Sequence, residues 1–326
     1  TRCSRWSRGL GDVYKRQADA LGDTTMAARA QLLAVKARSL GGEQYRSSAE
    51  LVSTLERARA LAERSGSPEL VAMSLLATAE TRYAASEFGP TIELFERAIP
   101  ALVETEQLLD AAVAAGFLGT AYGHVGEFER AIEWTERAYR LGVDRGDPNA
   151  SLDADLARAI IEGIRGDTGT SIEYATKAAN VAEQVDNKAC AMVAHSVIGE
   201  QHLRTGDAAQ ATIAFEASAD LAAFCQFMPV KVEQTELLLQ TARAGAGTGQ
   251  LDLRRYDKAL ELARQFGDRL AEAQLYEQRA RDRSSTGQSE AAAADLERAA
   301  ELYGSLDAAA HLQRIETLKG ASAGPG

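Results

Sequence analysis

Apolar residues recur every three or four positions along most of the chain, and the pattern breaks at regular intervals. It is clearest between residues 115 and 141. Ala115, Leu118, Gly119 and Tyr122 fall on one face of a first helix, and Gly126-Glu127 interrupts it. Phe128, Ala131, Ile132, Thr135, Ala138 and Leu141 then mark one face of a second. Both sets have the spacing of amphipathic helices. No stretch alternates apolar and polar residues for long, so the predicted elements are helices throughout.

The unit repeats. The triplet Glu-Arg-Ala stands at Glu56–Ala58, Glu96–Ala98, Glu136–Ala138 and Glu297–Ala299. The same step brings up the relatives Thr176-Lys177-Ala178, Glu216-Ala217-Ser218 and Asp257-Lys258-Ala259. Successive spacings are 40, 40, 40, 40, 41 and 40 residues. Ten residues before each triplet lies a turn position: Arg46, Ser86, Gly126, Gly166, Gly206, Gly247 and Gly287. Glycine there closes a helix in left-handed backbone geometry. A register held over seven units predicts seven helix-turn-helix modules of about 40 residues, spanning residues 18–304.

Small residues recur where paired helices must approach. They are Ala79, Gly119, Ala159, Gly199 and Ala280 in the first helices, and the triplet Ala or Ser in the second. Pro68, Pro90, Pro148 and Pro229 fall at predicted first turns, where a missing N–H costs nothing. Ser67 and Asp147 are expected N-caps. Pro100 sits inside the second helix of unit two and predicts a kink or an early end. Residues 305–319, with Leu306, Leu312, Ile315 and Leu318, read as a capping helix for the last open face. Residues 320–326 read as a flexible tail. Residues 1–17 match no repeat and resemble a translated adaptor junction, so the native sequence is expected to enter near Ala18, inside a larger protein.

Leu118-Gly119-x-x-Tyr122…Gly126…Ala131…Ala138 resembles the tetratricopeptide signature nearly position for position. Ile198-Gly199-x-x-His202…Gly206…Ala211…Phe215 is similar, with His in the aromatic place. Units one, four and six match weakly: Glu162 and Arg243 take the aromatic position, and Asp252 a small-residue position. The resemblance implies an all-α, right-handed superhelical solenoid with a long concave surface lined by first helices. It also implies a binding scaffold rather than an enzyme. Carried across unit by unit, the implied partner contacts are Met73, Glu80 and Tyr83 in unit two. Units three and four offer Thr120, His124 and Ile160. Units five to seven offer Glu200, Arg204, Thr241, Glu277 and Arg281. Chaperone-tail binders of the family hold a C-terminal carboxylate in a Lys/Asn/Arg clamp. Here the corresponding positions hold Lys36, Leu76, Glu80, Gly116 and Thr120, which argues against that clamp.

Charge and composition narrow the partner. The net charge is −11. Residues 1–17 carry five basic groups and one acid, so the remainder is more acidic still. Such a field opposes nucleic acid and anionic membranes. Cys3, Cys190 and Cys225 include no C-x-x-C pair, which fits a reducing, cytoplasmic setting. The apolar run Ala111–Gly126 is read as too short to span a bilayer.

Little catalytic chemistry is legible. The chain has only His124, His195, His202 and His311. His195 and His202 are seven apart on one helix, roughly 10 Å along its axis, too far to share a tetrahedral metal. They are read as packing residues, and His124 as a contact on the inner rim. Gly245-Ala-Gly-Thr-Gly249 lacks the Lys-Ser/Thr of a phosphate loop and is read as an inter-helix turn. No cofactor and no metal is expected. The partner is a protein or peptide segment. The Arg-Gly-Asp and Ser-Gly-Ser ends of second helices, such as Arg145-Gly-Asp147 and Arg64-Ser-Gly-Ser67, resemble C-terminal repeats of large bacterial ATP-binding (STAND-type) regulators linked to transcription or cyclase domains. That resemblance implies a sensor or partner-binding region detached from such a regulator. The alternatives are a stand-alone adaptor or self-association scaffold and, remotely, an enzyme on a helical array.

Overall fold

The computed structural model describes residues 23–40, 49–143, 148–225 and 228–322. Among these residues eleven connections between successive α-helices share one device, while the one from Asp220 to Pro229 passes through a 3-10 turn at Ala222–Phe224. A single residue adopts positive φ at Gly66, Ser86, Glu106, Gly126, Gly166, Asp186, Gly206, Gly247, Gly267, Gly287 and Asp307, with φ from 54° to 99°. The predicted turn positions from Ser86 to Gly287 are all among them, and a second series stands midway between. The 40-residue repeat is thus two half-repeats, with a left-handed residue at eleven of their ends. The amide after that residue donates back across the helix end, as from Glu127 to the Tyr122 carbonyl (2.9 Å) and from Asp207 to the His202 carbonyl (2.9 Å). These bonds satisfy carbonyls that a helix terminus leaves open. Arg46, Asp147 and residues 1–17 lie outside the described residues.

The turns separate fifteen α-helices among the described residues. The first four are α1 (Thr24–Leu40), α2 (Ala49–Ser65), α3 (Pro68–Ala84) and α4 (Phe88–Glu104). Then come α5 (Leu108–Val125), α6 (Phe128–Val143), α7 (Pro148–Arg165) and α8 (Thr168–Gln184). They are followed by α9 (Lys188–Arg204), α10 (Ala208–Asp220), α11 (Pro229–Gly245) and α12 (Arg255–Phe266). The last three are α13 (Arg269–Ser285), α14 (Ser289–Ser305) and α15 (Ala309–Ser322). Odd–even pairs form seven units of a right-handed solenoid, and α15 closes the array. Ser67, Asp167, Asp207 and Asp268 cap first-turn amides at 3.4, 3.1, 3.0 and 3.0 Å.

Close approach within each pair explains the small residues. Ala58, Ala98, Ala178, Ser218 and Ala299 are fully buried, and Ala138 and Ala259 nearly so. Ala79, Ala159 and Ala280 face them from the first helices and are equally buried. At Gly199 an added Cβ would lie 2.8 Å from the Phe215 ring, and at Gly119 2.9 Å from the Ala131 carbonyl oxygen. The first overlap requires the buried Phe215 ring to move, and the second requires the backbones to separate.

Several expectations need adjusting. Helix α4 does not end early at Pro100 but runs on to Glu104. Pro100 is exposed, so the carbonyl it leaves unpaired on that face can turn to water. The closing helix starts at Ala309 rather than 305, because Asp307 takes the turn conformation, and it runs on into the expected tail. The apolar run at 111–126 belongs to a helix that begins earlier, at Leu108, and is long and apolar enough by composition to cross a membrane. Most of that helix is buried inside the protein, where Leu118 and Tyr122 pack with Phe95, Ile99 and Leu102. Asp252 does not sit in a helix: α12 begins only at Arg255, and the Asp252 carboxylate binds the Arg254 amide at 3.1 Å.

Gly199→Val should lower stability by about 1–3 kcal/mol in urea unfolding. Glu106→Gly, which relieves a non-glycine residue at φ 59°, should raise it by about 1 kcal/mol. Equal effects of the two substitutions would contradict this packing and turn geometry.

Candidate functional site

The predicted wall residues all stand on first helices. Met73, Glu80 and Tyr83 lie on α3, Thr120 and His124 on α5, and Ile160 on α7. Glu200 and Arg204 lie on α9, Thr241 on α11, and Glu277 and Arg281 on α13. Polar contacts between residues about one repeat apart tie these helices edge to edge. Lys231 Nζ approaches Glu200 Oε1 at 3.2 Å, Thr241 Oγ1 donates to Asp282 Oδ2 at 2.9 Å, and Arg204 donates to the Gly163 carbonyl. The wall is therefore a continuous surface rather than a row of separate helices.

That surface is not open along its length. The superhelix curls until α15 packs on α5 and α7, the first helices of units three and four. Phe88 and Ala121 from units two and three share one apolar cluster with Ala273, Tyr303, Leu306 and Ile315 from the other end of the chain. Sequence reasoning expected a free trough; its middle is covered by the closing helix instead.

Rings form the contact. Phe88 stacks on His124 (centroids 4.5 Å apart), His124 on His311 (5.1 Å), and His311 on Tyr303 (4.7 Å). Tyr83 extends the cluster through Phe88 (6.3 Å) and Phe117 (4.9 Å). His124 and His311 are both buried.

Hydrogen bonds then fix the protons. Arg314 Nη2 lies 2.9 Å from His311 Nδ1. Arginine only donates, so His311 Nδ1 accepts and its proton sits on Nε2. His311 Nε2 is 2.8 Å from His124 Nδ1, so it donates there, and the His124 proton is placed on Nε2 in turn. Arg314 also grips Glu277 with two bonds, 2.7 and 2.6 Å. Tyr303 Oη and Arg281 Nη2 donate to the same carboxylate at 2.9 and 2.8 Å. The chain His124–His311–Arg314–Glu277 thus joins unit three to unit seven through α15.

Electrostatics agree with neutral imidazoles and an ionised acid. Burial pushes His124 down to about 3, and the Arg314 cation adds to the effect. His311 is held well below the ordinary histidine range by burial, then by His124 and Arg314. Burial alone would raise the Glu277 carboxyl, but Arg314, its hydrogen bonds and Arg281 hold it well below the usual carboxylate range.

The other predicted residues stay nearer water. Met73, Ile160, Glu200, Thr241 and Arg281 are half-buried. Arg204 is solvent-exposed by its surface, yet its guanidinium is lowered by burial and then by Arg314. Its stem reaches solvent while the guanidinium donates to the Gly163 carbonyl. Thr120 is buried and bonds the Gly116 carbonyl at 3.1 Å, so it serves packing.

Sequence reasoning missed Phe88, Tyr303, His311 and Arg314 as parts of one site. The only signal was that His311 is one of four histidines; nothing local pairs it with a residue 187 positions away.

The remaining chemistry is sparse. Among the described residues no group of three or more His, Cys, Asp or Glu is arranged to hold a metal ion. The Cys190 thiol is pushed up to about 12 by burial and then by Asp153, and Cys225 is fully buried. His195 lies 3.5 Å from Glu183, and Gly247 forms the turn read from sequence.

No protein-family model matches the sequence, and no curated protein matches it. Solved structures do match in fold. A Rap protein complexed with Competence and Sporulation Factor aligns with a TM-score of 0.65 at 13% identity, over 99% of this chain and 95% of that one. Aspartyl phosphate phosphatase F from Bacillus subtilis gives 0.67 at 12% identity, over 89% and 73%. NprR in complex with its cognate peptide NprX gives 0.64 at 14% identity, over 91% and 88%. At such identities the likeness shows a shared helical-repeat fold.

The depressed His124 predicts a pH dependence with a fixed sign. Its folded value of about 3 lies below the ordinary 6.5, so the unfolded chain takes up the proton first. Its stabilising contribution is complete above pH 6.5 and is lost as pH falls toward 3. Through His124 alone, lowering pH from 7.5 to 5.0 should cost about 2 kcal/mol of unfolding free energy, and the depressed His311 adds to the slope in the same direction. His124→Gln should make the slope shallower, and an unchanged slope would contradict a buried neutral imidazole as one of its causes.

Proposed function

We propose that the chain is a non-catalytic scaffold that holds a peptide or protein segment against its first-helix wall. On this reading it serves as the sensor or partner-binding region of a larger bacterial signalling or transcription regulator. One observation carries the reading: half-buried and exposed side chains of mixed chemistry stand in series on successive first helices. Met73 and Ile160 are apolar, Glu200 and Arg204 are charged, and Thr241 is hydroxylic. Packing alone does not call for such a set, whereas an extended or helical ligand is read by one.

Fold neighbours support the choice. They include a Rap protein complexed with Competence and Sporulation Factor and NprR bound to its cognate peptide NprX. The regulator setting is supported by the Arg-Gly-Asp and Ser-Gly-Ser helix ends of the sequence. A second reading, self-association, is supported by Met26 and Leu33, seven residues apart on α1 and 41% and 55% exposed.

An array of synthetic peptides probed with the full chain tests the first reading. Ile160→Ala and Arg204→Ala should each weaken retained peptides at least about fivefold, on the order of 1 kcal/mol, while Arg298→Ala on the outer helix α14 leaves them unchanged. Equal effects at all three positions would exclude the wall as the binding surface. For the second reading, Leu33→Arg should shift sedimentation from dimer to monomer; a monomer before substitution rules it out.

A further inference from the structure

Helix α15 differs from every helix it touches. Within α5, twelve residues are buried. In α15 only His311 and Ile315 are fully buried in the stretch after Ala310, and Leu312, Arg314 and Leu318 are half-buried. Its hold on units three, four and seven therefore rests on a few side chains, chiefly the imidazole between His124 and Tyr303 and the guanidinium on Glu277.

That hold is also imperfect. Arg314 Nη1 is buried without a hydrogen-bond partner, so docking gives up a bond that the guanidinium makes in water. The receiving surface, in contrast, is built from other helices. Phe88 and His124 belong to units two and three, and Glu277 accepts from Arg281 on its own helix and from Tyr303 on the second helix of unit seven. A rigid ring platform and an oriented carboxylate thus stand ready on two walls, bridged by a lightly anchored helix.

We propose that α15 is a built-in competitor for the groove, and that the segment replacing it presents a guanidinium to Glu277 and a flat ring between His124 and Tyr303. This rests on the reading of the wall as a peptide-binding surface and deepens it. The acidic character of the chain suits such a cationic segment. The groove is then closed in the resting chain, and ligand affinity is reduced by the fraction of molecules in which α15 is docked.

The test uses the full chain and a labelled synthetic peptide of residues 306–322. Fluorescence anisotropy should show the peptide binding the Arg314→Ala chain at least about tenfold more tightly than the unaltered chain, whose own α15 competes. The peptide carrying the same Arg314→Ala change should lose at least about tenfold. Equal affinity for both chains, or indifference to the peptide's own arginine, overturns the proposal. Should the Arg314→Ala chain fail to fold by circular dichroism, His311→Ala replaces it with the same expectations. Hydrogen exchange of the unaltered chain gives a second readout: amides of α15 should be at least about tenfold less protected than those of α13, and equal protection contradicts a displaceable helix. No outside partner enters these measurements, so their failure is distinct from a failure of the peptide array.

Discussion

The two helices of a unit meet closely at buried small residues, and the molecule's shape follows from that contact. Ala98 packed with Ala79, Gly119 against the Ala131 carbonyl, and Gly199 against the Phe215 ring are three versions of it. Close pairs stack with a constant small rotation, which makes a superhelix rather than a bundle. The turns preserve the rotation, since one left-handed residue ends eleven of the half-repeats in the same geometry. Four of these turns use Ser86, Glu106, Asp186 and Asp307 instead of glycine. The strain there is accepted because the helices on either side are already fixed by packing.

Curvature has a consequence beyond the repeat. After seven units the first helices of the two halves face one another, and α15 lies against α5 and α7. A solenoid's concave surface is usually its reachable surface; in this chain the middle of that surface is an internal interface. Its chemistry is a stack of rings and a chain of hydrogen bonds in which each proton has one permitted place. Buried polar networks of this kind are stabilising only when their members are paired. The unpaired Nη1 of Arg314 marks where this one is incomplete.

Legibility divided along the range of the interactions. The repeat register, the glycine turns and the buried triplet residues depend on neighbours within about one unit, and periodicity exposes them directly. Ser67 as a cap and Pro68, Pro148 and Pro229 at helix starts were readable for the same reason. The helix does not end at Pro100, because an exposed helix face tolerates a missing bond that a buried one does not. The wall positions on the first helices followed from register, but their surroundings did not. Glu277 and His124 stand on first helices as register required, while the residues that occupy them, Arg314 and His311, come from a helix read only as a cap. Contacts that arise from a full superhelical turn leave no periodic trace, since they depend on summed rotations rather than on local spacing.

Closure of the array through neutral, hydrogen-bonded imidazoles is the claim on which the account of the groove depends. Nitrogen-15 spectra of histidine-labelled protein near neutral pH test it most directly. Closure gives a through-hydrogen-bond coupling between His311 Nε2 and His124 Nδ1, with both rings neutral and protonated at Nε2. Two independent imidazoles that titrate near the ordinary histidine value, with no coupling between them, would show that the last helix does not lie across the wall.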